Sequence, residues 1–207
     1  MHIFFNGKDG RVRARTFEQI KQKLHCDWIF HEKGEVDIGM IPFIPTDNDD
    51  IIFISENFFL SADQLYELYD IFFLSFQPGT RVQQKISPII RSGTISLMEN
   101  NNIFLIDAAA FPGNSGSPVF LKPSAIRYHE EGNFVLEDKD MLGGKLIGIV
   151  GEYLPYRDLA ISIQTHRPRI EFEENTGLSR VWSISFIQEI INSVPFRQQV
   201  DRIKKLV

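Results

Sequence analysis

Short apolar stretches separated by turn residues run along most of this chain, and few of them repeat at helical spacing. Ile3-Phe4-Phe5, the turn residues Asn6-Gly7-Lys8-Asp9-Gly10 and the return at Arg11 to Arg15 predict an opening hairpin. Runs rich in Ile, Phe and Val predict further strands at 28–31, 36–44, 70–76 and 89–97, and then at 103–106, 118–121, 145–150 and 181–184. Gly34, Pro78-Gly79 and Gly143-Gly144 punctuate them. Phe17 to Leu24 is short and compatible with helix or strand, and Ser61-Ala62-Asp63-Gln64 reads as a single turn with a serine cap. The one clear helix is 186–191, with Ser185 as its cap and Pro195 limiting it. The segment 122–144, with clustered charges and Gly132, reads as a long hairpin loop, and 154–178 as another. Many short strands with one terminal helix imply an all-β barrel or sandwich.

Composition narrows the class. The 207 residues are 43% apolar and 24% charged, the balance of a globular domain large enough for a real core. Twenty-two Lys and Arg against 27 Asp and Glu leave a net charge of −5, which argues against a nucleic-acid partner. No apolar run approaches the length of a bilayer span, so no membrane partner is expected. A single cysteine, Cys26, permits no internal disulfide, and its apolar setting predicts a buried thiol. Few cysteines suit the cytoplasm, although a leader ahead of the opening strand would change that expectation.

The sharpest chemical signal is Phe111-Pro112-Gly113-Asn114-Ser115-Gly116-Ser117-Pro118-Val119-Phe120. A serine between glycines, entered from a Pro-Gly turn and left into an apolar strand, needs backbone angles that glycine supplies. Such a loop can aim the N–H groups of Gly113 and Ser115 at one point, where they would stabilise an oxyanion as Ser115 attacks a carbonyl. An isolated Gly-x-Ser-Gly is most often a plain turn, but the longer string makes that reading much weaker. Ser117 stands where a nucleophile elbow would need its final glycine, so the α/β-hydrolase pattern is excluded.

These residues resemble the nucleophile loop of the chymotrypsin-like (trypsin-like) serine proteases, closest in look to the bacterial Deg-type and glutamyl-endopeptidase branches. Ile106-Asp107-Ala108-Ala109-Ala110 leading into the motif extends the likeness. Asp37-Ile38-Gly39-Met40-Ile41 resembles the strand carrying the triad aspartate, and Leu146-Ile147-Gly148-Ile149-Val150-Gly151 the substrate-pairing strand. The resemblance implies a double β-barrel with a C-terminal helix, its N-terminal barrel incomplete within about 1–75 and its C-terminal barrel within about 76–207. It implies Ser115 as nucleophile, Asp37 as the orienting carboxylate, and Gly113 with Ser115 as the oxyanion hole. It also implies a peptide or protein substrate, no cofactor and no metal. Ala109, six positions before Ser115, would form the base of the specificity pocket, with Gly148 to Tyr153 and Ser179 to Trp182 as its walls. Gly151 and Arg180 belong to those walls, and Arg180 would narrow the pocket or pair with an acidic substrate side chain.

The general base is not assigned. The resemblance places its histidine ahead of Met1, because Ile3-Phe4-Phe5 corresponds to the strand that follows it. His2 adjoins that strand, His25 and His31 fall where the family carries no triad member, and His129 and His166 lie in the two long loops. His31-Glu32 lacks a second histidine four residues on, and Tyr128-His129-Glu130-Glu131 lacks a spaced partner, so neither predicts a metal site. Arg202 to Lys205 reads as a solvated helix or tail. The expected function is therefore a serine endopeptidase domain inactive in this form. The alternative is a non-catalytic pseudoprotease that binds a peptide or partner.

Overall fold

The computed structural model describes residues 2–76, 85–100, 102–124, 126–128, 134–136 and 142–206. Its strands are β1 (His2–Gly7), β2 (Val12–Thr16), β3 (Ile29–Phe30), β4 (Gly39–Met40), β5 (Asp49–Asp50), β6 (Asp70–Ser75) and β7 (Ile89–Asn100). They continue with β8 (Ile103–Asp107), β9 (Pro118–Leu121), β10 (Ile126–Tyr128), β11 (Phe134–Leu136), β12 (Leu146–Ile161) and β13 (Pro168–Ser183). Among the described residues there are three α-helices, α1 (Phe17–Leu24), α2 (Ile184–Asn192) and α3 (Val194–Lys204), and short 3-10 turns at Glu56–Phe58 and Ala62–Gln64.

Six strands close into an antiparallel barrel in the order β12-β13-β8-β7-β6-β9. Closure follows from period-2 burial. Ile71 and Phe73 of β6, Phe104 and Ile106 of β8, and Val119 and Leu121 of β9 turn inward and are fully buried. β6 begins at Asp70, so the barrel takes in residues expected to belong to the N-terminal remnant.

The N-terminal half is not a barrel among the described residues. It is a three-stranded sheet β2-β1-β5, the short pair β3-β4, and α1. The strand expected over 36–44 shrinks to Gly39–Met40. Phe17–Leu24 resolves as helix because Thr16 and Gln19 form a reciprocal capping box. Asn6 ties β1 to the barrel by accepting from the Ile86 amide at 2.9 Å and donating to its carbonyl at 2.8 Å.

Two further expectations are corrected. The cap of α2 is Ser183 rather than Ser185, and Pro195 opens α3 instead of merely ending α2. The segment 154–178 is not a loop. β12 and β13 are each 16 residues long, and their outer parts pair from Pro155↔Asn175 to Ile161↔Pro168 as a two-stranded arm. The short hairpin β10-β11 lies within the expected loop 122–144, of which 125, 129–133 and 137–141, with His129 and Gly132, are outside the described residues.

The C-terminal helices join the two halves. Phe186 and Ile190 of α2 pack with Trp182 against Ile29, Val36 and Ile38, while Ile203 of α3 packs on Ile20, Leu24 and Cys26. Burial raises the pKa of the Cys26 thiol. Among the described residues no helix is long and apolar enough to cross a membrane.

Candidate active site at the Ser115 loop

The loop between β8 and β9 is held from several sides. Ser179 Oγ donates to the Ala108 carbonyl at 2.9 Å, and Asn175 Nδ2 to the Ala110 carbonyl at 2.6 Å. Asn114 is fully buried beneath the turn, and its Oδ1 accepts from the Phe111 amide at 3.0 Å. Gly116 N–H donates to the Val150 carbonyl at 2.7 Å, and Val150 N–H to the Ser117 carbonyl at 2.9 Å. These bonds fix the backbone on both sides of Ser115.

Between those anchors the turn is open. Gly113 has φ +94° and Gly116 φ +85°, values that favour glycine and explain why both positions flank the serine. Among the described residues neither the Gly113 nor the Ser115 amide donates to a backbone acceptor, and the Ser115 hydroxyl has no partner. Ser115 is exposed and lines a cleft of about 250 Å³. Two free donors beside an exposed hydroxyl can hold an anionic oxygen.

The cleft's walls differ from the expected ones. Ala110 lines it rather than Ala109. Gly148 is buried between its partners Ser183 and Val119, where a Cβ would strike the Trp182 carbonyl. Gly151 lies under the Trp182 indole. Arg180 is not free for a substrate: Nη1 bonds Glu152 at 2.5 Å, and Nε lies 3.5 Å from Glu99.

Val150, Glu152 and Tyr153 come from the expected wall and do line the cleft. Over 146–150 of the strand expected to pair with substrate, β9 and β13 occupy both edges. Pairing with β9 and its preceding loop ends at Val150, so only the stretch beyond it keeps an open edge.

Arg157 and Glu173 were not expected at this site. The arm puts Arg157 opposite Glu173 and brings both into the cleft. Glu173 accepts from the Tyr153 hydroxyl and from Arg157 Nε at 3.1 Å. The Tyr153 bond, aided by Arg157, lowers the Glu173 pKa, and the same hydrogen bond raises that of Tyr153. A signal was available: Arg169-Ile170-Glu171-Phe172-Glu173 alternates polar and apolar residues as a strand does.

Asp37 is exposed between Val36 and Ile38, which are buried against Trp182 and Phe186. Its carboxylate makes no hydrogen bond or ion pair among the described residues. No described histidine bonds Ser115 or Asp37. His31 is buried, with Nε2 at 2.8 Å from Glu189 Oε2 and Nδ1 accepting from the Lys33 amide at 3.2 Å. His25 is the exposed, left-handed C-cap of α1, His166 sits in the turn at the tip of the arm, and His2 stacks on Phe4 in β1. Comparison of the chain with known protein families, curated proteins and solved structures finds no match.

Proposed function

We propose that this chain is a trypsin-like serine endopeptidase domain in which Ser115 is the nucleophile and the Gly113 and Ser115 amides form the oxyanion hole. The single observation that carries the reading is the pair of uncommitted amides around a positive-φ glycine, beside an exposed serine lining a cleft. A peptide carbonyl entering there would meet the hydroxyl on one side and the two N–H groups on the other. Its backbone would run along the open edge beyond Val150. The motif resembles the nucleophile loop of the Deg-type and glutamyl-endopeptidase branches, whose fold is a double barrel, and Asp37 is the carboxylate that would orient an imidazole.

Transfer of the Ser115 proton needs a base, and the described histidines are engaged or distant in the fold. The chain alone is therefore proposed to be nearly inert, since a hydroxyl without a base is a weak nucleophile. Free imidazole can supply such a base. A fluorophosphonate probe should label the chain faster as imidazole is added, and Ser115→Ala should remove the label. Labelling that is equal in the two chains at every imidazole concentration would overturn the nucleophile assignment.

A second reading, a non-catalytic peptide-binding module, is favoured by the unpartnered Asp37 carboxylate. It predicts that peptides bind equally to the chain and to Ser115→Ala, with no imidazole-dependent turnover.

A further inference from the structure

The charges in the Ser115 cleft already have partners within the protein. Ala110, Phe111, Pro112, Val150, Pro155 and the Tyr153 ring make the apolar part of its lining. Of its two carboxylates, Glu173 holds Arg157 and the Tyr153 hydroxyl, and Glu152 holds Arg180. Its one lining cation, Arg157, spends Nε on Glu173. A volume of about 250 Å³ suits one side chain better than a cofactor.

Resting on the reading of this cleft as a peptide site, we propose that it selects a large apolar side chain, leucine or phenylalanine, at the residue whose carbonyl faces Ser115. Such a side chain gains by leaving water and disturbs no ion pair. A lysine would have to compete with Arg157 or Arg180 for a carboxylate that already holds it. A glutamate would enter beside Glu152 and Glu173, where like charges oppose it. The selectivity arises from pairing inside the protein: the same carboxylates, left free, would make this a site for basic residues.

The test uses the native chain and N-acetyl-Ala-Ala-Pro-X peptides with free C-terminal carboxylates, titrated by calorimetry. With X as Leu or Phe, binding should be roughly tenfold or more tighter than with Ala, as burial of such a side chain implies. Lys and Glu should bind no better than Ala. Arg157→Ala leaves Glu173 without its guanidinium and should strengthen binding of the Lys peptide about two- to fivefold, the scale of an exposed ion pair. Tyr153→Phe frees the other Glu173 oxygen and should shift preference the same way, which guards against a misfolded first variant. If the native chain binds the Lys or Glu peptide as tightly as the Leu peptide, the selectivity is overturned while the peptide site stands. If no peptide binds, the peptide site itself is overturned.

Discussion

The barrel and the N-terminal half are built from similar residues but reach different kinds of stability. The largest fully buried side chains, Phe73, Phe104, Ile71, Ile95 and Ile106 among them, all lie between Ile71 and Ile184. The N-terminal half leaves Phe4, Phe30, Ile52 and Phe53 exposed, with Ile52 at 91%. Closure makes the difference. A closed sheet turns one face of every strand into a shared interior, whereas a three-stranded sheet with open edges has only its helix and loops to cover it.

What replaces a deep core there is a polar clamp. Asp49 has a fully buried carboxylate, 2.5 Å from Arg15 Nη2, and accepts from the Thr46 amide at 2.7 Å. The Arg15 guanidinium lies over the Phe5 and Phe43 rings at 4.9 and 5.1 Å and donates to the Ile44 carbonyl at 3.1 Å. One side chain thus gathers β1, β2, β5 and the 43–46 loop. The candidate site belongs to the barrel, so its loop should outlast the loosening of the other half.

The sharpest break in this contrast is Phe73→Ala. Emptying that position should cost about 3–5 kcal/mol and lower the urea midpoint of the whole chain, because the barrel core is shared by all six strands. Arg15→Ala should cost less, roughly 1.5–3 kcal/mol, as expected for hydrogen bonds to a charged group. Its effect should be local: amide exchange in β1 and β2 should accelerate while β8 and β13 stay protected. Equal acceleration in both halves would show that they unfold as one unit.

Acid should also distinguish the halves. Burial opposes the charged form of Asp49, but the Thr46 and Arg15 hydrogen bonds outweigh it and hold the folded-state pKa below the ordinary carboxylate value. The stability it contributes is fully present above that ordinary value and is lost as pH falls through the lower folded one. Trp28, stacked between Phe17 and Phe30, reports the N-terminal half, and Trp182 reports the barrel's contact with α2. In single-tryptophan variants the Trp28 signal should change at a higher pH than the Trp182 signal, and Asp49→Asn should narrow the gap. Smallest of all, Thr16→Ala should cost about 1 kcal/mol by removing one half of the capping box of α1.

The Ser115 turn was legible because its chemistry is local. Gly113 and Gly116 are needed for backbone angles set within the turn itself, so the motif announces the geometry. The cleft beside it was not legible, because its charged lining comes from a strand pair whose register crosses more than a dozen residues. Pro155, Pro168 and the dense charges of 171–174 hid a strand pattern that the alternation at Arg169 to Glu173 carries. The clamp was equally hidden, since Arg15 and Asp49 are 34 positions apart and meet only when β5 pairs with β1.

By itself the sequence determined the mostly β character of the chain and the need for glycine on either side of Ser115. Each depends on period-2 burial or on the angles a few neighbouring residues can adopt. Only the tertiary structure decided that one sheet closes and the other does not, that Arg180 is spent on Glu152, and that Tyr153, Arg157 and Glu173 stand together at the cleft. Those are matters of register and pairing between distant segments, where each side chain's role depends on which partner reaches it first.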